Sequence, residues 1–504
     1  MTSTPTTSMG ADASALWQRI LGTTEVGSHV GGRIVTGEGE EVPLLDPSSE
    51  QEILVYRDGS RAAIDAAVEA AAAAQRAWWD LTASDRGRVL WRVGALVREH
   101  LEPLAQLEAR TAGKPLRDAT GETVKVAEMF EYYAGWADKQ HGEVIPVPTS
   151  HLTYTVREPY GVVAQMTPWN APVFTAGWQL APALAAGNGV VLKPSELSPL
   201  TSILLSGLVE RAGAPSGLVN VVAGLGPTAG DRLVTHPGVA KVVFVGSPAT
   251  GRRIAAAAGE RLTPCVLELG GKSANIVFAD ADIDRAVGGA AAAIFSGSGQ
   301  SCVAGSRLLV QRSVHDQVVE RLAELASALR QGDPLDPTSQ IGPVQNRAQV
   351  ERITRMVDAA RGDAEVVTGG RRLDRPGFFY PPTLLAGVSN SDEIARQEVF
   401  GPVVAAIPFE DEEEAVSLAN ATDFGLAGAV WTGRVDRGHR VAGALRAGTV
   451  WVNSYKTINV MAPFGGFGES GFGRSSGADG LREYSEPKAV WVETDAAAPL
   501  ALGY

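Results

Sequence analysis

The stretch AKVVFVGSPATGRRIAAAAGERLTPCVLELGG, residues 240–271, decides the fold. Its Val-rich start reads as a short buried strand, and GSPATG reads as a turn that opens a helix near Thr250. An Ala-rich helical run follows, and PCVLELGG is a second buried strand. Two such strands joined by a helix make the repeating unit of a parallel sheet covered on both faces. A nucleotide binds such a sheet at the carboxyl ends of its strands.

The same alternation extends outward. Upstream it begins near residue 161 with GVVAQMTP, FTAGWQLAPALAAG, NGVVLKPSE and PLTSILLSGLVERAG. Downstream a further α/β series starts near residue 272 with SANIVFADAD and ends at GTVWVNS, which predicts a second domain with its own sheet. Residues 32–60 read as strands and hairpins, and residues 62–79, 86–113 and 121–139 as consecutive helices. The ribbon at 145–156 and the last apolar run, AVWVET at 489–494, find no partner in the local pattern and are expected to pair across a subunit contact.

Composition narrows the function classes. A chain of 504 residues exceeds the size of one growing core and can bury a cleft between two large domains. The net charge of −13 and the absence of a Lys/Arg block argue against a nucleic-acid partner. Two cysteines without a CxxC, and 7 His, give neither a disulfide framework nor a metal site. The polar N-terminus lacks the pattern of a signal peptide, and no apolar run is long enough to span a bilayer. The expectation is a cytoplasmic protein with no membrane partner, no metal and a flexible tail over residues 1–30.

Several residues could carry chemistry, each with a plainer alternative. Gly246, Ser247 and Gly251 open a helix whose bare N–H groups attract phosphate, or they form an ordinary turn. Lys193 and Glu196 in KPSE suit ribose hydroxyls, or are solvated. Cys302 lies in GSGQSCVAG, residues 297–305, where glycines permit close approach and clearance for a substrate. A cysteine picked at random is an inert small hydrophobe, the reading given to Cys265. A thiolate that adds to an electrophilic carbon needs donors for the oxygen that becomes negative, and Asn170 could supply one or simply end a turn. Glu268 could activate water, or pair with Lys272.

Together these segments resemble the NAD(P)-dependent aldehyde dehydrogenase superfamily from about residue 30 to 495. The resemblance rests on PWN at 168–170, KPSE at 193–196, GSPATG at 246–251, LELGGKSANIV at 267–277, GQSC at 299–302, EVFGPV at 398–403 and PFGGFGESG at 463–471, in the family's order. It implies an α/β fold with a Rossmann-like cofactor domain (31–139 and 159–270), an α/β catalytic domain (271–465) and a small β oligomerisation element (140–158 and 485–504). It implies that Cys302 attacks the aldehyde, that Asn170 and the Cys302 backbone N–H hold the oxyanion, and that Glu268 activates water to hydrolyse the thioester. The implied cofactor is NAD, with NADP as the alternative, contacted by Trp169, Lys193, Ser195, Glu196, Gly226, Gly246, Ser247, Gly251, Leu269, Glu398 and Phe400. Glu196 should repel a 2′-phosphate. The substrate pocket would use Ala171, Phe174, Trp178, Ser301, Val303, Ile458 and Phe464, and the assembly would be a homotetramer or homodimer.

The chain also departs from the pattern. Pro248 stands where many members have Thr. Gln179 follows Trp178 where many have Lys, and Ser475 follows Arg474 where many have Glu. That pair assists deacylation in relatives, so here Glu268 acts more nearly alone. Ala171 replaces a common aromatic residue and widens the entrance for a bulky, aromatic or semialdehyde substrate. Lys456 could meet an anionic substrate group, but is read as solvated. The alternatives are a CoA-acylating aldehyde dehydrogenase, which needs no water-activating carboxylate, and a non-catalytic binding relative, which would be expected to lose Cys302, Asn170 or Glu268.

Overall fold

The structure, a computed structural model, describes residues 9–496. Five parallel strands form the centre of the first sheet, in the spatial order Val219–Val221, Gly189–Pro194, Val162–Thr167, Lys241–Val245 and Cys265–Glu268. Chain order runs outward to one side of Val162–Thr167 and then to the other, so the strand order reverses between Val162–Thr167 and Lys241–Val245. Successive residues face opposite cores: Val163 packs into one cluster, while Val162, Ala164 and Met166 pack into the other. That period-two burial on both faces explains the near-continuous apolar runs in the sequence.

The second sheet holds Thr383–Ala386, Val403–Phe409, Arg307–Gln311, Ala274–Val277, Ala427–Trp431 and Thr449–Val452 in parallel, with Glu365–Thr368 antiparallel at one edge. The chain passes from the first sheet to the second between Glu268 and Ala274. It later returns, because Gly471–Phe472 pairs antiparallel with Cys265–Glu268.

Four expectations need correction. Within the expected tail, Ala11–Leu21 is a helix whose Ala13, Leu16, Trp17 and Ile20 face is buried, and Ser28–Val30 is a strand of the first sheet; residues 1–8 lie outside the described residues. Residues 86–113 are not one helix but two, Ala83–Glu99 and Leu101–Ala112, meeting at His100. The helix after Val245 begins at Pro248, which needs no N–H partner at that position. The strand Ser485–Glu493 pairs along its whole length with His151–Pro159 of the same chain, rather than across a subunit contact; the end of the expected oligomerisation element, 497–504, lies outside the described residues.

Candidate active site

The site begins at the strand ends beside the reversal point. Val162–Thr167 leads into Trp169 and Asn170, and Lys241–Val245 leads into Gly246 and Ser247. The Ser247 hydroxyl accepts from the Thr250 N–H at 3.3 Å and caps the helix Pro248–Glu260. Gly251 is required for closure: a Cβ there would lie 2.6 Å from Leu269 Cδ2. At the end of Gly189–Pro194 the Lys193 ammonium is buried, 3.4 Å from Glu196 Oε2, and burial lowers its pKa. The Ser195 hydroxyl accepts from the Leu197 N–H. Gly226 starts a turn with open space above it, since a Cβ there meets nothing within 4 Å.

Buried Asp58, which the sequence pattern did not single out, holds that turn by accepting from the Leu225 N–H and the Thr228 hydroxyl. The exposed helix N-terminus, the cation beside Glu196 and the open turn fit a dinucleotide's pyrophosphate and ribose. No group of described residues could hold a metal ion.

The nucleophile loop is set by three successive left-handed residues, Gly297 (φ 62°), Ser298 (φ 55°) and Gly299 (φ 69°). A Cβ on Gly299 would come 2.0 Å from the Gly401 carbonyl oxygen, and one on Gly305 2.9 Å from Ala293 Cβ. These two glycines therefore make room for protein neighbours, not for substrate as their pattern had indicated. Asn170 Nδ2 donates to the Gln300 carbonyl at 2.8 Å and brings its amide to the loop from a strand end of the first sheet. Tyr455 donates to the Val303 carbonyl at 2.9 Å on the opposite flank. Burial pushes the half-buried Cys302 thiol up to about 12, reinforced by Glu398 and Glu268 and opposed by Lys456 and the Val303 N–H.

Glu268 ends its strand in a buried position, and neither carboxylate oxygen has a hydrogen-bond partner. Burial pushes it up to about 8, offset only in part by the neighbouring Ser475, which lies close without completing a hydrogen bond, and by the Arg474 guanidinium. The alternative ion pair with Lys272 does not form. Lys272 lies beyond two glycines at the domain crossing, and burial holds it down at about 7. Those glycines are tightly enclosed: a Cβ on Gly270 would meet Glu398 Oε2 at 2.2 Å, and one on Gly271 the Cys302 carbonyl oxygen at 2.5 Å. The crossing thus threads between Glu398 and Cys302. Glu398 accepts from the Gly271 N–H at 3.1 Å and is raised by burial to about 7. Phe400, left-handed at φ 58°, packs edge-on against Trp169 with ring centroids 5.3 Å apart.

The expected substrate residues divide. Phe174, Trp178 and Phe464 form one aromatic wall, with centroid distances of 5.1 and 5.9 Å, and Ile458 packs on the same cluster. Ala171 precedes the helix Pro172–Ala185 and adds little bulk. Ser301 instead lines a cavity with Gly271, Glu398 and Phe400, on the cofactor side. Val303 is buried behind the thiol with Leu426 and Trp451. Lys456 is not solvated as expected: its ammonium donates to the Ser296 hydroxyl at 2.9 Å. Ser470 was also missed. It donates to the Gly270 carbonyl at 2.7 Å and accepts from the Gly425 N–H at 3.0 Å, tying the crossing to the second domain.

The chain is similar to known proteins over most of its length. Residues 34–490 match the profile of the Aldehyde dehydrogenase family. Betaine aldehyde dehydrogenase of Bacillus subtilis (strain 168) is 42% identical over 484 residues, 93% of this chain and 98% of that protein. Retinal dehydrogenase 2 of Homo sapiens is 41% identical over 461 residues, covering 90% of this chain and 89% of that one. The crystal structure of PnpE in complex with nicotinamide adenine dinucleotide superimposes with a TM-score of 0.92 at 42% identity, over 94% of this chain and 98% of that one.

Proposed function

The chain belongs to the aldehyde dehydrogenase family, and from that premise we propose that it oxidises an aldehyde to a carboxylic acid through a covalent intermediate on Cys302. Family members are NAD(P)-dependent, and solved relatives hold NAD+. The observation that carries the mechanism is the Asn170 hydrogen bond to Gln300, two residues from Cys302.

One hydrogen of the Asn170 amide is used in that bond and the other is free to donate. The Cys302 N–H makes no backbone hydrogen bond, so the two form a donor pair for the oxygen that becomes negative as sulfur adds to the carbonyl carbon. The thiol is held neutral by burial, so its proton must leave as attack begins; of the two carboxylates near it, Glu398 is engaged by the Gly271 N–H, and Glu268, where ionised, is the one free to take it. A nicotinamide held beside Trp169, Glu398 and Phe400 would supply the hydride acceptor for the substrate carbon, and the acyl group would then remain on Cys302 as a thioester. Glu268, once ionised, then draws a proton from water, which adds to the thioester and releases the acid.

Gln165, Thr167, Gln179 and Glu268 all carry buried polar atoms without partners, and Gln165 also reaches the Tyr484 hydroxyl at 3.3 Å. Such a cluster is where ordered water is held, which supports water delivery and proton exit without the Lys and Glu of relatives. On the cofactor side, Glu196 beside Lys193 favours NAD over NADP. Lys193, Ser195, Glu196 and Gly226 serve the adenosine end, Gly246, Ser247, Gly251 and Leu269 the pyrophosphate, and Trp169, Glu398 and Phe400 the nicotinamide end. The aromatic wall with Ala171 at its mouth supports a bulky, aromatic or semialdehyde substrate.

Exposed Val144, Leu152, Trp491 and Val492 on the three-stranded sheet support self-association as a homodimer or homotetramer. No helix among the described residues is long and apolar enough to cross a membrane, and both cysteines are free, which supports a cytoplasmic setting. The test is absorbance of the reduced cofactor with an aldehyde panel. Turnover by the wild type that Cys302→Ala abolishes supports the reading, and no reduction with any aldehyde refutes it.

A further inference from the structure

We propose that Lys456 selects the substrate, and that the aldehyde this chain oxidises carries a carboxylate at the end remote from its reacting carbon. The proposal rests on Cys302 being the nucleophile.

Lys456 occupies a left-handed backbone conformation, φ 56°, which is costly for a side chain of its size. That turn directs the ammonium inward. It donates to the Ser296 hydroxyl at 2.9 Å and contacts the Ser296 carbonyl at 3.5 Å. Ser296 immediately precedes the loop that carries Cys302, and Tyr455, one residue before Lys456, is bonded to Val303 just beyond the thiol. The segment 455–456 therefore grips the nucleophile loop on both sides of Cys302. Two residues further on, Ile458 joins the apolar wall of Phe174, Trp178 and Phe464. The Lys456 ammonium thus stands near Cys302, on a segment that also contributes Ile458 to the apolar wall.

Among the described residues no group pairs with it directly. The Cys302 thiol faces it, as do Asp118 and Glu122 of the helix Leu116–Trp136, which favour its charge from a distance, and Lys114, which opposes it. No carboxylate of the described residues reaches within ion-pair distance of Lys456: Glu122 pairs with Lys114, and Asp118 meets Arg117 through one oxygen while its other is buried without a hydrogen-bond partner. Burial accordingly lowers the ammonium to about 8. An ammonium has three donors and two neutral acceptors here, so one donor remains and the carboxylates that offset its charge stand beyond ion-pair distance. Burying such a charge is costly unless an anion arrives with the ligand. A substrate carboxylate meets that demand, a neutral aldehyde gains nothing from it, and a quaternary ammonium is repelled. Kinship at 42% identity with a betaine aldehyde dehydrogenase therefore does not extend to that relative's named substrate.

The experiment compares kcat/KM, with NAD+, for three aldehydes of similar length: succinic semialdehyde, butanal and 4-trimethylammoniobutanal. Wild type, Lys456→Gln and Lys456→Arg are measured. The wild type is expected to favour the anionic over the neutral aldehyde by about tenfold or more. Lys456→Gln should erase that ratio, chiefly through KM, and Lys456→Arg should restore most of it. Three results overturn the proposal: a wild-type preference for the neutral or cationic aldehyde, a ratio unchanged by Lys456→Gln, or an equal loss for all three substrates, which would make Lys456 an aid to the thiol instead. Absence of turnover with all three, or turnover with butanal alone, overturns only the proposal while another aldehyde of the panel is still oxidised; no reduction with any aldehyde overturns the aldehyde-oxidising reading as well.

Discussion

Asn170 follows a strand of the first sheet and Gln300 precedes a strand of the second, yet the Asn170 amide donates to the Gln300 carbonyl at 2.8 Å and so fixes the distance between a donor at one strand end and the nucleophile loop. Asn170→Ala removes both the tether and an oxyanion donor. A fall in kcat of about 10²–10³ is expected, with the cofactor's Kd little changed. Isothermal titration with NAD+ beside steady-state kinetics separates the two effects.

Glu268 gives a pH dependence with a definite sign. Its folded pKa is raised from 4.5 to about 8, so the carboxylate needed for hydrolysis appears only as pH rises through about 8. Deacylation should accelerate over that range. In Glu268→Gln, steady-state turnover should be lost while a burst of NADH persists. The raised pKa also costs stability: the folded chain binds the proton more tightly than the unfolded one between pH 4.5 and 8, so this group's contribution is lost as pH climbs through that window. Thermal unfolding should show Glu268→Gln gaining on the wild type as pH rises from 4.5 to about 8.

Gly299 is confined by conformation and by space. Gly299→Ala places a methyl group 2.0 Å from the Gly401 carbonyl oxygen at φ 69°. The left-handed backbone alone costs an alanine about 1–3 kcal/mol, and the clash moves the loop. Both a lower unfolding midpoint and a loss of kcat are expected, measurable by calorimetry and kinetics on one preparation.

Glu196 should govern cofactor choice. Glu196→Ser removes the carboxylate 3.4 Å from Lys193 and frees that ammonium for a 2′-phosphate. The NADP+ to NAD+ ratio of kcat/KM should rise by about tenfold or more, read from the two cofactors at saturating aldehyde.

Much of this was legible in the chain because strand ends announce themselves. Val-rich runs ending in Gly, Lys-Pro-Ser-Glu or Trp-Asn place Gly246, Lys193 and Asn170 at one edge of one sheet, and the structure gathers them there. The helix Ala11–Leu21 was also readable, since Ala13, Leu16, Trp17 and Ile20 follow helical spacing, but its polar flanks suggested a tail. Other features depend on distant chain. Asp58 meets its turn partners some 167 and 170 residues on, and Ser470 reaches back 200 residues to Gly270. The inward turn of Lys456 needs a left-handed non-glycine residue, which no composition or period reveals. The loop glycines were visible, but what they make room for was not, because Gly401 and Ala293 arrive from other elements.

The central claim is that Cys302 carries the acyl group. The most direct test is rapid quenching of Glu268→Gln with NAD+ and aldehyde, followed by peptide mass mapping. An acyl adduct on the peptide containing Cys302, absent without NAD+ and absent from a Cys302→Ala Glu268→Gln double variant, is the predicted result. An adduct on Cys265, or NADH formation undiminished by Cys302→Ala, would contradict it.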